Sequence, residues 1–233
     1  MACVIVVGAQ WGDEGKGEVL DVFTELADVV VRYEGAARAG DATRTDGEGS
    51  TPLVIPVAAL RKKKRAVLGP GVIIDPKELV REVKDAQSKG SCADAQDLVV
   101  SDAAHLVLPY HHAIDEARAA KGQRPPPWGM GVRPACEDKV AGLGVRVADL
   151  FRPSALRFKL TRNVRAKNEQ LAREGHPELA LQEIIDAVES YAEVLKPFVM
   201  NVPRLLDELR RRGKNILLEG QQGALLDVDH GAY

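Results

Sequence analysis

The sequence is poor in the features that would commit it to an unusual compartment or scaffold. It has three cysteines, Cys3, Cys92 and Cys136, odd in number and widely spaced. That excludes a disulfide framework and a paired metal–thiolate site, and it fits a reducing cytoplasm. No apolar stretch approaches the roughly 20 residues that a membrane-spanning helix needs, so no membrane partner is expected. The first apolar run, Val4 to Val7, has no basic segment ahead of it and reads as a strand, not a signal peptide. Net charge is only −2, which leaves no overall basic field to draw nucleic acid. The one basic run, Arg61-Lys62-Lys63-Lys64-Arg65, sits between apolar segments and reads as a short solvated turn rather than a localisation signal. The histidines, His105, His111, His112, His176 and His230, show no zinc-ligand spacing. There is no Gly-x-Ser-x-Gly element, no internal repeat and no low-complexity linker.

What is present is an ordinary globular balance over 233 residues, 45% hydrophobic and 28% charged, enough for one sizeable domain. Strand-like runs alternate with helical patterns. Cys3–Val7 is a β-branched run of the kind buried on both faces of a parallel sheet. After a glycine cluster, Val19, Leu20, Phe23, Leu26 and Ala27 recur at helical spacing. Residues 28–33 return as a strand, giving a strand–loop–helix–strand unit. Further strands are expected at 54–55, 66–68, 98–100 and 215–218. Asp75-Pro76 is a helix start that Gly90 closes. Other helices are expected at 111–120, 156–171, 178–195 (opened by Pro177) and 203–212 (closed by Gly213). The expected architecture is α/β, a mostly parallel central sheet with flanking helices. It opens with a strand–glycine loop–helix unit like that of P-loop NTPases. Residues 1–233 form one α/β domain in this reading, and the ending just after a strand and a polar loop suggests part of a longer chain.

The stretch VIVVGAQWGDEGKGEVLD, residues 4–21, carries the chemistry. Ligands of parallel α/β folds bind beyond the carboxyl ends of the strands. There a glycine-rich turn lets backbone N–H groups approach phosphate, and the following helix adds its positive end. Gly8, Gly12, Gly15 and Gly17 stand in that place, and Lys16 can put a full charge on a phosphoryl group. Asp13 and Glu14 would repel phosphate unless one of them grips Mg²⁺ or abstracts a proton. The motif is not the usual P-loop, because Gly17 follows the lysine where Ser or Thr would hold the metal. Asp13 is therefore the candidate metal ligand. Asp227, Asp229 and His230 read as a loop that caps itself through Asx turns. Trp11 and Trp128 read as packing residues.

WGDEGKG resembles the signature of the adenylosuccinate synthetase family. RYEGAARAGDAT (32–43), GPGVIIDP (69–76), ACEDKV (135–140), EGQQG (219–223) and LLDVDHGAY (225–233) are similar to further family segments, in order. The resemblance implies a cytoplasmic, homodimeric ligase that uses GTP and Mg²⁺ to join IMP and L-aspartate through a 6-phosphoryl-IMP intermediate. It implies Asp13 as the acid that takes the purine N1 proton and as a metal ligand with Gly40. It implies phosphate contacts from Gly12, Asp13, Glu14, Gly15, Lys16, Gly17, Glu18, Gly40, Asp41 and Ala42. IMP contacts are implied for Asp13, Lys16, Arg38 and Gln222, and a catalytic part for Lys139. Asp41 stands where the family has a general-acid histidine, a role typically worth roughly 10²–10⁴-fold in rate. Arg38 replaces an asparagine, and Glu18 stands where a lysine is usual. Pro125-Pro126-Pro127-Trp128 replaces a threonine loop, and Gly142 and Leu143 replace arginines. Two readings stay open: a working ligase, or a relative that binds nucleotide or phosphate without turnover.

Overall fold

The computed structural model describes residues 2–36, 54–56, 64–88, 90, 94–122, 131–227 and 229–232. Seven strands are described: β1 (Cys3–Gly8), β2 (Val29–Ala36), β3 (Arg65–Ile74), β4 (Leu98–Ser101), β5 (His105–Leu106), β6 (Val199–Met200) and β7 (Ile216–Gly223). They pair in the order β1-β7-β2-β3-β4-β6, with β5 on β3, and every described strand pair is parallel. The helices are α1 (Lys16–Leu26), α2 (Pro76–Ser88), α3 (Pro109–Ala120), α4 (Val132–Val140), α5 (Pro153–Arg173), α6 (Leu181–Leu195) and α7 (Val202–Arg211). The α/β architecture expected from the alternating pattern is therefore the observed one.

The period-2 rule sorts the central strands between two cores. Val30, Ala66, Leu68, Leu98 and Val100 face one way, onto a cluster shared with Leu20 of α1 and with α2, α5 and α6. Val29, Val31, Val67 and Val99 face the other way, onto Val202 and Leu205 of α7. Burying both faces explains why these strands read as unbroken β-branched runs. Strand β1 does not follow the expectation of burial on both faces. It is the first strand in the sheet order, Val4 and Val6 are half-buried, and Ile5 and Val7 are about 60% exposed. Among the described residues nothing covers that side.

Local chemistry sets several boundaries. Asp75 caps α2, its carboxylate accepting from the Lys77 amide at 2.9 Å, with Pro76 at the first helical position. Asn201 caps α7 in the same way, accepting from the Arg204 amide at 3.0 Å. Gly90 and Gly213 adopt left-handed φ just past α2 and α7. Helix α6 starts at Leu181, three residues later than its pattern suggested, so Pro177 lies outside the first turn. Residues 54–55 form a bend rather than a strand. Their buried amides donate to the Glu82 carboxylate of α2 at 2.8–3.1 Å, so a side chain replaces a neighbouring strand. Between α3, α4 and α5, buried Asp138 takes His111 Nε2 at 3.1 Å and Lys167 Nζ at 2.6 Å.

Candidate functional site

The carboxyl ends of β1 and β7 meet at Gly8 and Gly223, which face each other beyond a shift in the β1–β7 register after Val6 and Glu219. The chain then runs through residues 9–15 into α1. Gly12 (φ +89°) and Gly15 (φ +79°) take the left-handed conformation that bends the loop back on itself. A methyl added at Gly12 would stand 2.9 Å from the Gly223 amide nitrogen, and one at Gly8 would stand 2.9 Å from Lys16 Nζ. The glycines are thus spent on backbone-to-backbone approach between the loop and the end of β7. The Leu225 amide donates to the Gln10 carbonyl at 2.9 Å, which ties the loop after β7 to the same corner.

Lys16 is only 7% exposed. Its ammonium donates to the Gly12 carbonyl at 2.8 Å and lies 3.5 Å from the Glu14 carboxylate. Glu14 turns inward as well. Its Oε1 accepts from the backbone amides of Gln10 at 2.6 Å and Gly12 at 3.2 Å. Burial would raise its pKa, but those amides, its own amide and Lys16 together hold it down at about 2. The loop thus folds around its own carboxylate, which accepts from the alternate amides of Gln10 and Gly12 and lies beside Lys16. This explains the acid that looked out of place in the sequence: Glu14 is the internal anion of the loop.

Asp13 is exposed, and its side chain makes no hydrogen bond or ion pair among the described residues. Glu18 lies in the first turn of α1, where a negative charge suits the helix dipole. Gly17 is half-buried beside it. The Gln222 backbone carbonyl oxygen faces the corner, 3.0 Å from where a Gly8 methyl would stand. Lys139 is not brought into this corner. It closes α4, and its ammonium donates to the Gly71 carbonyl at 3.1 Å. Arg38, Gly40, Asp41, Ala42 and Pro125–Trp128 lie outside the described residues. The Asp227 loop is the self-capping turn expected, with the Asp229 and His230 amides both 2.9 Å from Asp227 Oδ1.

The structure adds residues that the sequence did not flag. Arg32 of β2 and Glu219 of β7 are register partners, and they form a buried ion pair at 2.6 Å. Arg32 also donates to the Val54 carbonyl at 2.9 Å. Two residues on, Gln221 is buried against Gly35, and its Oε1 has no partner among the described residues. Pairing across 187 positions leaves no local sequence signal, although a charged residue inside two apolar strands is the available hint.

A Mg²⁺ ion can be tested against this donor set. Among the described residues no group of three or more His, Cys, Asp or Glu side chains could cage a metal. One outward carboxylate beside the glycine loop still fits the ion, because Mg²⁺ is commonly held by one or two carboxylates plus substrate phosphates and water.

Sheet and corner together define a parallel α/β protein of the glycine-loop class, with the loop's lysine and amides turned onto an anion. Comparison with known proteins narrows this. The adenylosuccinate synthetase family profile matches residues 5–233. The chain is 43% identical over 236 residues to adenylosuccinate synthetase of Trichlorobacter lovleyi and 42% identical to that of Geobacter metallireducens, covering 100% of this chain and 55% of each relative. The chain therefore belongs to the adenylosuccinate synthetase family, and it spans about half the length of the curated relatives it matches. Among solved structures, fully ligated adenylosuccinate synthetase of Plasmodium falciparum shares the fold, with TM-score 0.83 at 24% identity over 100% of this chain and 54% of that one. The succinoaminodeoxyadenylate synthetase of cyanophage S-2L, bound to dGMP and dATP, shares it more loosely, with TM-score 0.59 at 24% identity and the same coverage. Among the described residues, no helix is long and apolar enough to cross a membrane.

Proposed function

We propose that the protein carries out the ligase chemistry of its family: a cytoplasmic, homodimeric enzyme that uses GTP to join IMP and L-aspartate. Residues 1–233 act as one α/β domain that holds the nucleotide phosphates. The observation that carries this reading is the glycine loop, whose Gln10 and Gly12 amides and Lys16 already bind a carboxylate. A phosphate oxygen takes the place of Glu14 on those amides. Gly12, Gly15 and Gly17 leave the backbone open to it, and Lys16 steadies charge on the transferred group. Bound Mg²⁺ supplies charge neutralisation on the phosphates and would be held by Asp13, with Gly40 as the second contact. Asp13 also accepts the purine N1 proton, which makes O6 nucleophilic; O6 takes the γ-phosphoryl group as the bond to GDP breaks and GDP leaves, and the aspartate amine then displaces phosphate from C6 of 6-phosphoryl-IMP. Gln222 and Arg38 contact IMP; Glu14, Glu18, Asp41 and Ala42 border the phosphates.

A second reading, nucleotide binding without turnover, is favoured by Asp41. An ionised carboxylate at the family's general-acid position repels the γ-phosphate and cannot donate a proton at neutral pH. Calorimetric titration with GTP and Mg²⁺, followed by an adenylosuccinate assay with IMP and aspartate, tests both readings. Saturable GTP binding that Lys16→Ala abolishes is expected. No binding by the unaltered chain refutes the nucleotide assignment, and robust adenylosuccinate formation refutes the second reading.

A further inference from the structure

Three neighbouring strands change register at one level of the sheet. Val6 and Glu219 are the last partners of β1 and β7 before their shift. Arg32 and Glu219 are the last rung that β2 shares with β7, and β2 shifts against β3 between Arg32 and Glu34. Beyond this level β7 runs on through Gly220–Gly223 to the glycine-loop corner. We propose that Glu82 of α2 is a positioning residue for that corner: through the bend at 54–55 and the Arg32–Glu219 pair it sets where β7 leaves the sheet, and so where Gly223 meets Gly12.

Every link in this relay is a hydrogen bond between buried groups. Glu82 is only 5% exposed. Both of its oxygens accept from the Val54 amide, at 2.8 and 2.9 Å, and Oε2 also takes the Ile55 amide at 3.1 Å. The Val54 carbonyl accepts from Arg32 Nη1 at 2.9 Å, and Arg32 Nη2 donates to Glu219 Oε1 at 2.6 Å. Arg32 and Glu219 share the parity of Val30 and Leu217, so they point into the same core that α2 covers. In a close-packed interior such a chain of charge-assisted bonds passes a displacement on instead of absorbing it. The far end is tight as well. A methyl on Gly12 would stand 2.9 Å from the Gly223 amide nitrogen, and the Leu225 amide holds the Gln10 carbonyl at 2.9 Å. A shift of β7 at Glu219 therefore moves the loop with it.

The charge on Glu82 decides how firmly the first link holds. Burial lifts its carboxyl to about 7, while the Val54 and Ile55 amides, Arg32 and Arg81 pull it down. Arg32 of β2 and Arg81 of its own helix are the charged groups that act on it among the described residues, with Glu219 of β7 behind Arg32. The ionised carboxylate accepts from both amides. Once protonated, one oxygen becomes a donor and loses capacity toward them, so the bend and the relay behind it relax.

The test follows backbone amide signals of the labelled chain, without ligand, from about pH 5.5 to 8.5. The Val54, Ile55, Gly12 and Gly223 signals are expected to share one midpoint at about 7. Glu82→Gln keeps an acceptor but has no titrating proton, and should remove that component from all four. Arg32→Met combined with Glu219→Leu should keep it at Val54 and Ile55 and remove it from Gly12 and Gly223, a split that a purely structural role for Glu82 does not produce. His230→Gln, in the loop after β7, should leave all four midpoints in place. Gly12 and Gly223 signals that do not titrate with Val54, or that stop titrating in His230→Gln, overturn the proposal. Should a relay variant fail to fold, the unaltered chain and His230→Gln still decide it. Only the consequence for ligand rests on the nucleotide reading. Because the ionised form is the one that holds, the gain in GTP–Mg²⁺ affinity from pH 6 to 8 should be at least about twofold larger in the unaltered chain than in Glu82→Gln. Equal gains overturn the positioning role. Absence of GTP binding refutes the nucleotide reading alone, and the amide titration then decides this one.

Discussion

Glu219→Ala is the substitution whose consequence the structure specifies most sharply. The carboxylate is 3% exposed and lies 2.6 Å from a guanidinium that is itself 2% exposed. Removing one member of such a pair leaves the other charge buried and unpaired, at a cost of about 3–5 kcal/mol. A domain of this kind has a total stability of about 5–15 kcal/mol. With a urea dependence near the top of the usual range, about 3 kcal/mol per molar, the unfolding midpoint should fall by roughly 1–1.7 M. Equilibrium urea unfolding followed by circular dichroism reads this directly. Arg32→Met combined with Glu219→Leu should recover most of the loss, because a buried pair replaced by apolar side chains of similar volume is often near neutral. A fall for Glu219→Ala of under about 0.2 M, the scale of an ordinary surface change, would refute the reasoning. It would mean that the pair is hydrated in solution and does not hold β2 to β7 behind the glycine loop.

Two further outcomes are expected. Burial pushes the Glu82 carboxyl up to about 7, against the opposing pull of the Val54 and Ile55 amides and Arg32. The folded state then keeps a proton that the unfolded chain has lost, so stability should fall by about 3 kcal/mol between pH 4.5 and 7 and level off above; Glu82→Gln should flatten that slope in unfolding midpoints measured across the range. Gly12→Ala forces a side chain into left-handed φ against the Gly223 amide, so thermal unfolding should show a loss of about 2 kcal/mol or more, together with loss of GTP binding.

What the sequence made legible was local. Cys3–Val7 followed by glycines, Asp75 before Pro76, and Gly213 after a helical run each state their role within a few residues, and each element is where it was expected. Where partners are distant, the sequence was mute. Val54 and Ile55 look like a strand because they are apolar, yet a carboxylate 27–28 residues away holds them as a bend. Helix α4 was hidden because Pro134 interrupts its short pattern, although proline is tolerated in a first turn. Strand β1 was expected to be covered on both sides, and composition alone cannot tell an edge strand from a central one. At the candidate site, the loop and Lys16 were readable from spacing. The inward turn of Glu14 was not, because acid beside phosphate looks repulsive until the amides that hold it are seen.

The claim beneath this account is that the amides of Gln10 and Gly12, now occupied by Glu14, are the ones a nucleotide phosphate takes. Backbone amide shifts of the labelled protein during a GTP–Mg²⁺ titration test it most directly. The Gln10 and Gly12 signals should move together, saturate at the calorimetric affinity and stay fixed in Lys16→Ala. Saturable GTP binding that leaves both signals in place would contradict it.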